Sequence, residues 1–275
     1  MQIGMPALIE YRTLEDNAAL CRELGLSFVE LNMNYPEYQV ECLEKSEHLE
    51  HVAEMNRIYY TIHLDEKLDI ADFNSLVSGA YLETVRRVIF AAKKLIYLRD
   101  RYGDASQPIT INMHIDHGIY ITLPERRVYM YERNAERYID SFSRFRELCE
   151  EWIGDDDLVI TAENTDGFTR YEKKAVECLL QSPKFGLTWD VGHSKTSGEK
   201  DVPFIMEHRE RIVHFHIHDA CESPPRNHLP LGEGKIALEK RLELADVINS
   251  RCVIETKTDK ALRSSVKWLH DHCFL

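Results

Sequence analysis

The 275-residue chain contains no C-x-x-C pair. Its seven cysteines (Cys21, Cys42, Cys149, Cys178, Cys221, Cys252 and Cys273) are scattered and odd in number, so they cannot all pair within one chain. That argues against a disulfide framework and for a reducing compartment. There is no apolar run near the roughly 20 residues that span a bilayer, and the opening stretch MQIGMPALIEYR lacks a basic leader followed by an apolar core. Together these absences predict a cytoplasmic protein with no membrane segment. No linker rich in proline, glycine or serine interrupts the chain, which predicts one domain over residues 1–275. Positive charge is scarce: 34 Lys and Arg stand against 47 Asp and Glu, a formal net charge of -13. An average field of that sign repels polyanions, so a nucleic-acid partner is disfavoured.

What the chain does have is alternation. An apolar run at 3–9 precedes a helix that Thr13 can cap and Gly25 can stop, with Leu14, Ala18, Cys21 and Leu24 on one face. Further β-rich runs occupy 27–33, 57–64, 109–115, 157–164, 184–190, 211–217 and 251–256. Helical patterns fall at 38–57, 73–101, 128–152, 171–181, 201–209, 235–248 and 258–271, with a polar loop through Pro124 and Arg127. Parallel strands need crossover helices, so eight strand-then-helix units predict an α/β fold, a (β/α)₈ TIM barrel. A doubly wound sheet is the alternative, but no G-x-G-x-x-G loop follows the first strand.

In such a barrel the active site forms at the C-terminal ends of the strands. Strands three to eight end at His63, His114, Glu163, Asp190, His216 and Glu255. Any one of these alone would pass as a capping or surface residue. Six in succession converge on one small circle, where three carboxylates would repel one another without a cation between them. Their mixed nitrogen and oxygen donors suit Zn²⁺, Mn²⁺ or Fe²⁺ better than Ca²⁺. In HFHIHD (214–219) a period of two puts His214, His216 and His218 on one strand face and Phe215 and Ile217 on the other.

The segments TAENT (161–165), TWDVGHS (188–194), HFHIHD, HLPLGEGKI (228–236) and VIETK (253–257) resemble the motif series of the xylose-isomerase-like TIM barrel superfamily. That superfamily includes sugar isomerases and epimerases and the endonuclease IV family of apurinic-site phosphodiesterases. The resemblance implies that Glu163, Asp190, His216 and Glu255 hold a divalent metal common to both branches. In the endonuclease branch His63 and His114 match further ligands, Glu163 bridges two ions, and His193 and His228 bind a third with an aspartate two residues before the latter. Arg226 stands at that aspartate's place, and a guanidinium there would repel an ion. His214 and His218 match no motif position; packing in the barrel is expected for the first and a donor role behind a ligand for the second. His117 fits loop surface and substrate contact equally.

Two chemistries follow. One is isomerisation or epimerisation of a small sugar or sugar phosphate by proton transfer through a metal-stabilised enediolate. Here Glu163 and Glu255 act as catalytic base and acid, His193, Arg226 and His228 bind substrate, and Glu30 or Asn32 of FVELNM lies near the mouth. The expected cofactor is Zn²⁺ or Mn²⁺, one ion per chain. The alternative is an endonuclease IV-like zinc phosphodiesterase with two or three ions, which His63, His114 and LGEG favour and which Arg226 and the acidic balance oppose. A barrel that binds metal or sugar without catalysis is a third reading, and a homodimer would be ordinary for such a barrel.

Overall fold

The computed structural model of the protein describes residues 1–66 and 69–275. Eight parallel strands close into a barrel: β1 (Gln2–Pro6), β2 (Phe28–Asn32), β3 (Tyr59–His63), β4 (Ile109–His114), β5 (Leu158–Glu163), β6 (Phe185–Asp190), β7 (Ile212–Ile217) and β8 (Arg251–Ile254). Neighbours follow chain order, and β1 completes the circle by pairing with both β2 and β8. Outside lie α1 (Leu14–Glu23), α2 (Ser46–Asn56), α3 (Ser75–Tyr102), α4 (Ala135–Ile153), α5 (Arg170–Leu179), α6 (Val191–Thr196), α7 (Val202–Glu207), α8 (Leu238–Val247) and α9 (Asp259–Asp271). Strands covered on both faces must be apolar outward as well as filled inward, hence Val29, Leu31, Ile62, Ile111, Ile160, Leu187, Phe215 and Cys252, all buried.

The first helix carries both of its expected caps. Thr13 accepts a hydrogen bond from the Asp16 amide at 3.1 Å, and Gly25, with φ +71°, follows the end of α1. Thr169 and Glu172 form a reciprocal capping box at the start of α5. Two expectations need correction, and one further element lies outside them. The pattern over 38–57 is not one helix: Val40–Leu43 is a separate short helix, and Lys45 leaves helical geometry before α2 begins. The polar loop after β4 contains an antiparallel hairpin, Tyr120–Thr122 against Arg127–Tyr129. Residues 219–229 form a second hairpin, Asp219–Glu222 against Pro225–Leu229. Both hairpins pair outside the barrel: Tyr120–Thr122 is exposed, and Asp219–Cys221 is buried without alternating, so neither carries the period of two that marks a half-buried strand. Among the described residues, no helix is long and apolar enough to cross a membrane.

The barrel interior is built in tiers because residues two apart share a face. Thr61, Asn112, Thr161, Thr188 and His214 lie two positions before His63, His114, Glu163, Asp190 and His216, and all five are fully buried. Register aligns the tiers: Asn112 pairs with Thr161 and His114 with Glu163, while Thr188 pairs with His214 and Asp190 with His216. The β6–β7 pairing slips by one residue after Leu187, and this slip brings Asp190 level with His216. Such interiors are ordinarily filled by Val, Ile and Leu. A polar tier must instead satisfy its own donors, and it does: Thr188 Oγ1 donates to Thr161 Oγ1 (2.8 Å), Thr161 Oγ1 to Asn112 Oδ1 (3.1 Å), and Asn112 Nδ2 to Glu163.

Candidate metal centre

Glu163, Asp190, His216 and Glu255 each bring one possible ligand atom within 4.8 Å of the others. His216 Nδ1 lies 3.1 Å from Glu163 Oε1, 3.4 Å from Glu255 Oε2 and 4.0 Å from Asp190 Oδ2. Burial opposes a charge on Glu163, but His216 and His114 outweigh it and hold the carboxyl well below the usual range. Burial is likewise overcome at Glu255, by His216 and Lys257. Burial also disfavours a proton on His216, yet Glu163, Glu30 and Glu255 raise its pKa well above that of a free imidazole. A dication among these groups would take over the neutralising role of that proton. Glu255 Oε2 is buried without a hydrogen-bond partner while facing the ring. A buried carboxylate oxygen that faces an imidazole without a hydrogen bond is incompletely satisfied, and a cation relieves that cost. The donor set of three carboxylates and one imidazole therefore fits Zn²⁺ or Mn²⁺.

Each member of the ring is held from outside it. Asp190 ends β6 and caps α6, accepting from the His193 amide at 2.6 Å. Asn164 clasps its main chain, accepting from Asp190 N (2.8 Å) and donating to Asp190 O (2.9 Å). His218 Nε2 stands 3.1 Å from the Asp190 carboxylate. Lys257 Nζ lies 2.6 Å from Glu255 Oε1. On the side away from the ring, His216 Nε2 is 3.0 Å from Glu30 Oε1 of β2.

The remaining predicted residues fall in three places. His63 and His114 come to Glu163 Oε2, their Nε2 atoms at 3.5 and 3.3 Å. Burial works against a charge on His63, but Glu163 prevails and pushes its pKa up to about 9. His193 and His228 gather with His218, one ring nitrogen of each within 4.8 Å of the others. Burial pushes His228 down to about 4, so it is neutral at pH 7. Arg226 is not brought to the ring: it is exposed, with Nη2 at 3.6 Å from Cys221 Sγ across the second hairpin. The neighbouring Asn227 reaches the rim instead, 3.2 Å from His193 Nδ1. His117 pairs with Glu172 and so ties the loop after β4 to the capping box of α5. Beside His114 a cleft of ≈ 230 Å³ opens, bordered by Glu66, Asp116, His117 and Asp166.

The LGEG segment has a structural explanation in Asp219, the last residue of HFHIHD. Its buried carboxylate accepts from the amides of Ala220 (2.9 Å), Gly232 (3.1 Å), Gly234 (2.8 Å) and Ile236 (3.1 Å). At Gly234 a Cβ would sit 2.2 Å from Asp219 Oδ1, so no side chain fits there. The residues the sequence reading passed over are the supports Asn112, Asn164 and Lys257, and the Glu30–His214 contact. Their signal was present in part: a polar residue two positions before a strand-end ligand, where a barrel layer would normally be aliphatic.

Comparison with known proteins gives a consistent outcome. The family profile described as xylose isomerase-like TIM barrel matches residues 109–272. An uncharacterized protein of Methanocaldococcus jannaschii, MJ1311, is 25% identical over 232 residues, 79% of this chain and 74% of its own. Among solved structures, a D-tagatose 3-epimerase-like protein superposes with a TM-score of 0.73 at 19% identity, over 99% of this chain and 97% of its own. The 3-keto-D-glucoside 4-epimerase YcjR from E. coli does so with a TM-score of 0.71 at 14% identity, over 98% and 99%. At such identities the likeness establishes the shared fold.

Proposed function

The chain belongs to the xylose isomerase-like TIM barrel family, and from that membership we propose that it is a divalent-metal-dependent isomerase or epimerase of a small sugar or sugar phosphate. The observation that carries the reading is the approach of two glutamates, Glu163 and Glu255, to His216 Nδ1 at 3.1 and 3.4 Å, with Glu255 Oε2 making no hydrogen bond. When bound, the ion would polarise a carbonyl and an adjacent hydroxyl and so acidify the intervening C–H. Glu163 and Glu255 then move the proton: one carboxylate oxygen removes it, and the product carbon takes a proton back either from that same, now protonated, carboxyl or, on the opposite face, from the second glutamate after it has drawn a proton from solvent. Asn112 holds Glu163, and Lys257 holds Glu255 by its other oxygen, so the two act from fixed positions. His193 and His228 stand at the rim as sugar contacts, His228 as a neutral donor or acceptor. Arg226 meets a phosphate-bearing substrate only if it swings away from Cys221.

The second reading, phosphodiester cleavage, draws on the placement of His63 and His114 within 3.5 Å of Glu163 Oε2, where another ion could share that oxygen. One experiment separates the two. The protein, loaded with Mn²⁺ or Zn²⁺, is incubated in D₂O with a panel of ketoses, aldoses and their phosphates, and separately with an abasic DNA duplex. The expected result is deuterium at the carbon next to the carbonyl of at least one sugar, lost at least 1,000-fold in Glu163→Gln and Glu255→Gln. Strand cleavage of the duplex without any exchange into sugars would overturn it.

A further inference from the structure

Glu30 is a carboxylate with 2% exposure inside the barrel, and its contacts are imidazoles and a hydroxyl. Oε2 accepts from His214 Nε2 (3.1 Å) and Thr61 Oγ1 (3.3 Å); Oε1 lies 3.0 Å from His216 Nε2. His216 Nε2 makes no hydrogen bond of its own, so what joins it to Glu30 is this 3.0 Å charged approach. His214 extends the array sideways, with Nδ1 at 3.4 Å from Thr110 Oγ1. His216 is thus set edge-on between two carboxylates: Glu30 at Nε2 and Glu163 at Nδ1. A charge buried this deeply is costly, and an aliphatic side chain would fill the layer at no such cost.

We propose that Glu30 is a positioning residue for the metal centre, which keeps the His216 proton on Nε2 and so directs the Nδ1 lone pair at the ring formed with Glu163, Asp190 and Glu255. His214 is the second half of the device. Its Nε2 proton goes to Glu30 and its Nδ1 receives the Thr110 hydroxyl, so it braces the carboxylate from the side and prevents it from turning away from His216. The proposal rests on reading that ring as a divalent-ion site. A glutamine cannot substitute, because Glu30 faces two N–H donors with two oxygens and glutamine would turn its own NH₂ on one of them.

The test uses the full-length protein stripped of metal and retitrated with Zn²⁺ by calorimetry, beside Glu30→Gln, His214→Gln and Asp190→Asn. The wild type should bind Zn²⁺, Asp190→Asn should lose that binding, and Glu30→Gln should weaken it by about 10–100-fold. In the zinc-loaded wild type, ¹⁵N resonances of His216 should report a protonated Nε2 and a metal-bound Nδ1, and Glu30→Gln should lose that single tautomer. A residue serving only to fill space would leave the tautomer unchanged. If Glu30→Gln does not fold by circular dichroism, His214→Gln carries the test with an expected loss of at least threefold. Zinc bound by the wild type, lost in Asp190→Asn and unaltered within threefold in Glu30→Gln and His214→Gln, would overturn the positioning role and leave the metal centre standing. A wild type that binds no divalent ion would overturn both.

Discussion

His218 has both ring nitrogens engaged. Nδ1 accepts from the His228 amide at 3.0 Å, which leaves Nε2 to carry a proton, aimed at the Asp190 carboxylate 3.1 Å away. That arrangement decides between two roles for the cluster His193, His218 and His228. Three imidazoles within 4.8 Å could share an ion, but His218 has no free lone pair to offer one. It serves instead as a brace for Asp190, in the way a metal-bound carboxylate is commonly supported by an outer hydrogen bond. His218→Ala should therefore weaken ion binding by about tenfold, while His193→Ala should leave the metal content found by elemental analysis unaltered. Loss of one ion per chain in His193→Ala would mean that the three histidines hold a second ion.

The turn from β6 into α6 shows how an element carries this geometry. Asp190 caps the helix, Gly192 follows, and Ser194 accepts from Trp189 Nε1 (2.9 Å) and Asn164 Nδ2 (3.1 Å) while donating to Asp201 Oδ1 (3.0 Å). A Cβ on Gly192 would stand 1.8 Å from His218 Cε1, so only glycine lets that ring lie against the turn. Gly192→Ala should push His218 off Asp190, weakening Zn²⁺ binding at least tenfold in calorimetry; affinity within twofold of wild type would show that the turn does not set the centre. These same elements mark what could be read in the chain. Strand ends such as His63, Glu163 and Asp190 stood out because a polar residue closing an apolar run is a local signal, and the period of two located His214 and His216 on one face. Glu30 did not stand out as a partner of His216. One acid within FVELN reads equally well as solvent-facing, and only closure of the barrel brings β2 and β7 to a common interior. Motif position puts Arg226 at the mouth, yet pairing outside the barrel turns it toward Cys221.

Over the whole molecule, the ring couples protons, metal and stability. His63 titrates near 9 in the folded protein against roughly 6.5 unfolded, so it adds stability that is complete below about pH 6.5 and lost as pH rises through 9. His228 acts in the other direction: with a folded value of about 4, it costs stability as pH falls from about 6.5 toward 4. Glu163 and Glu255, both depressed, contribute above the normal carboxylate range and lose that contribution in stronger acid. The metal-free protein should accordingly be most stable near pH 6.5 and weaken toward pH 9. A divalent ion binds the deprotonated ligands, so its affinity rises over the window in which the metal-free fold loses proton-linked support. An ion at about 100 times its dissociation constant adds about 2.7 kcal/mol, which for a chain of this size corresponds to a rise in Tm of about 5 °C. Thermal melts with and without Zn²⁺ at fixed free-ion concentration, taken between pH 6 and 9, should show the gap between the two widening with pH. A gap that stays flat or narrows would mean that the imidazoles and carboxylates of the barrel mouth do not exchange protons for metal.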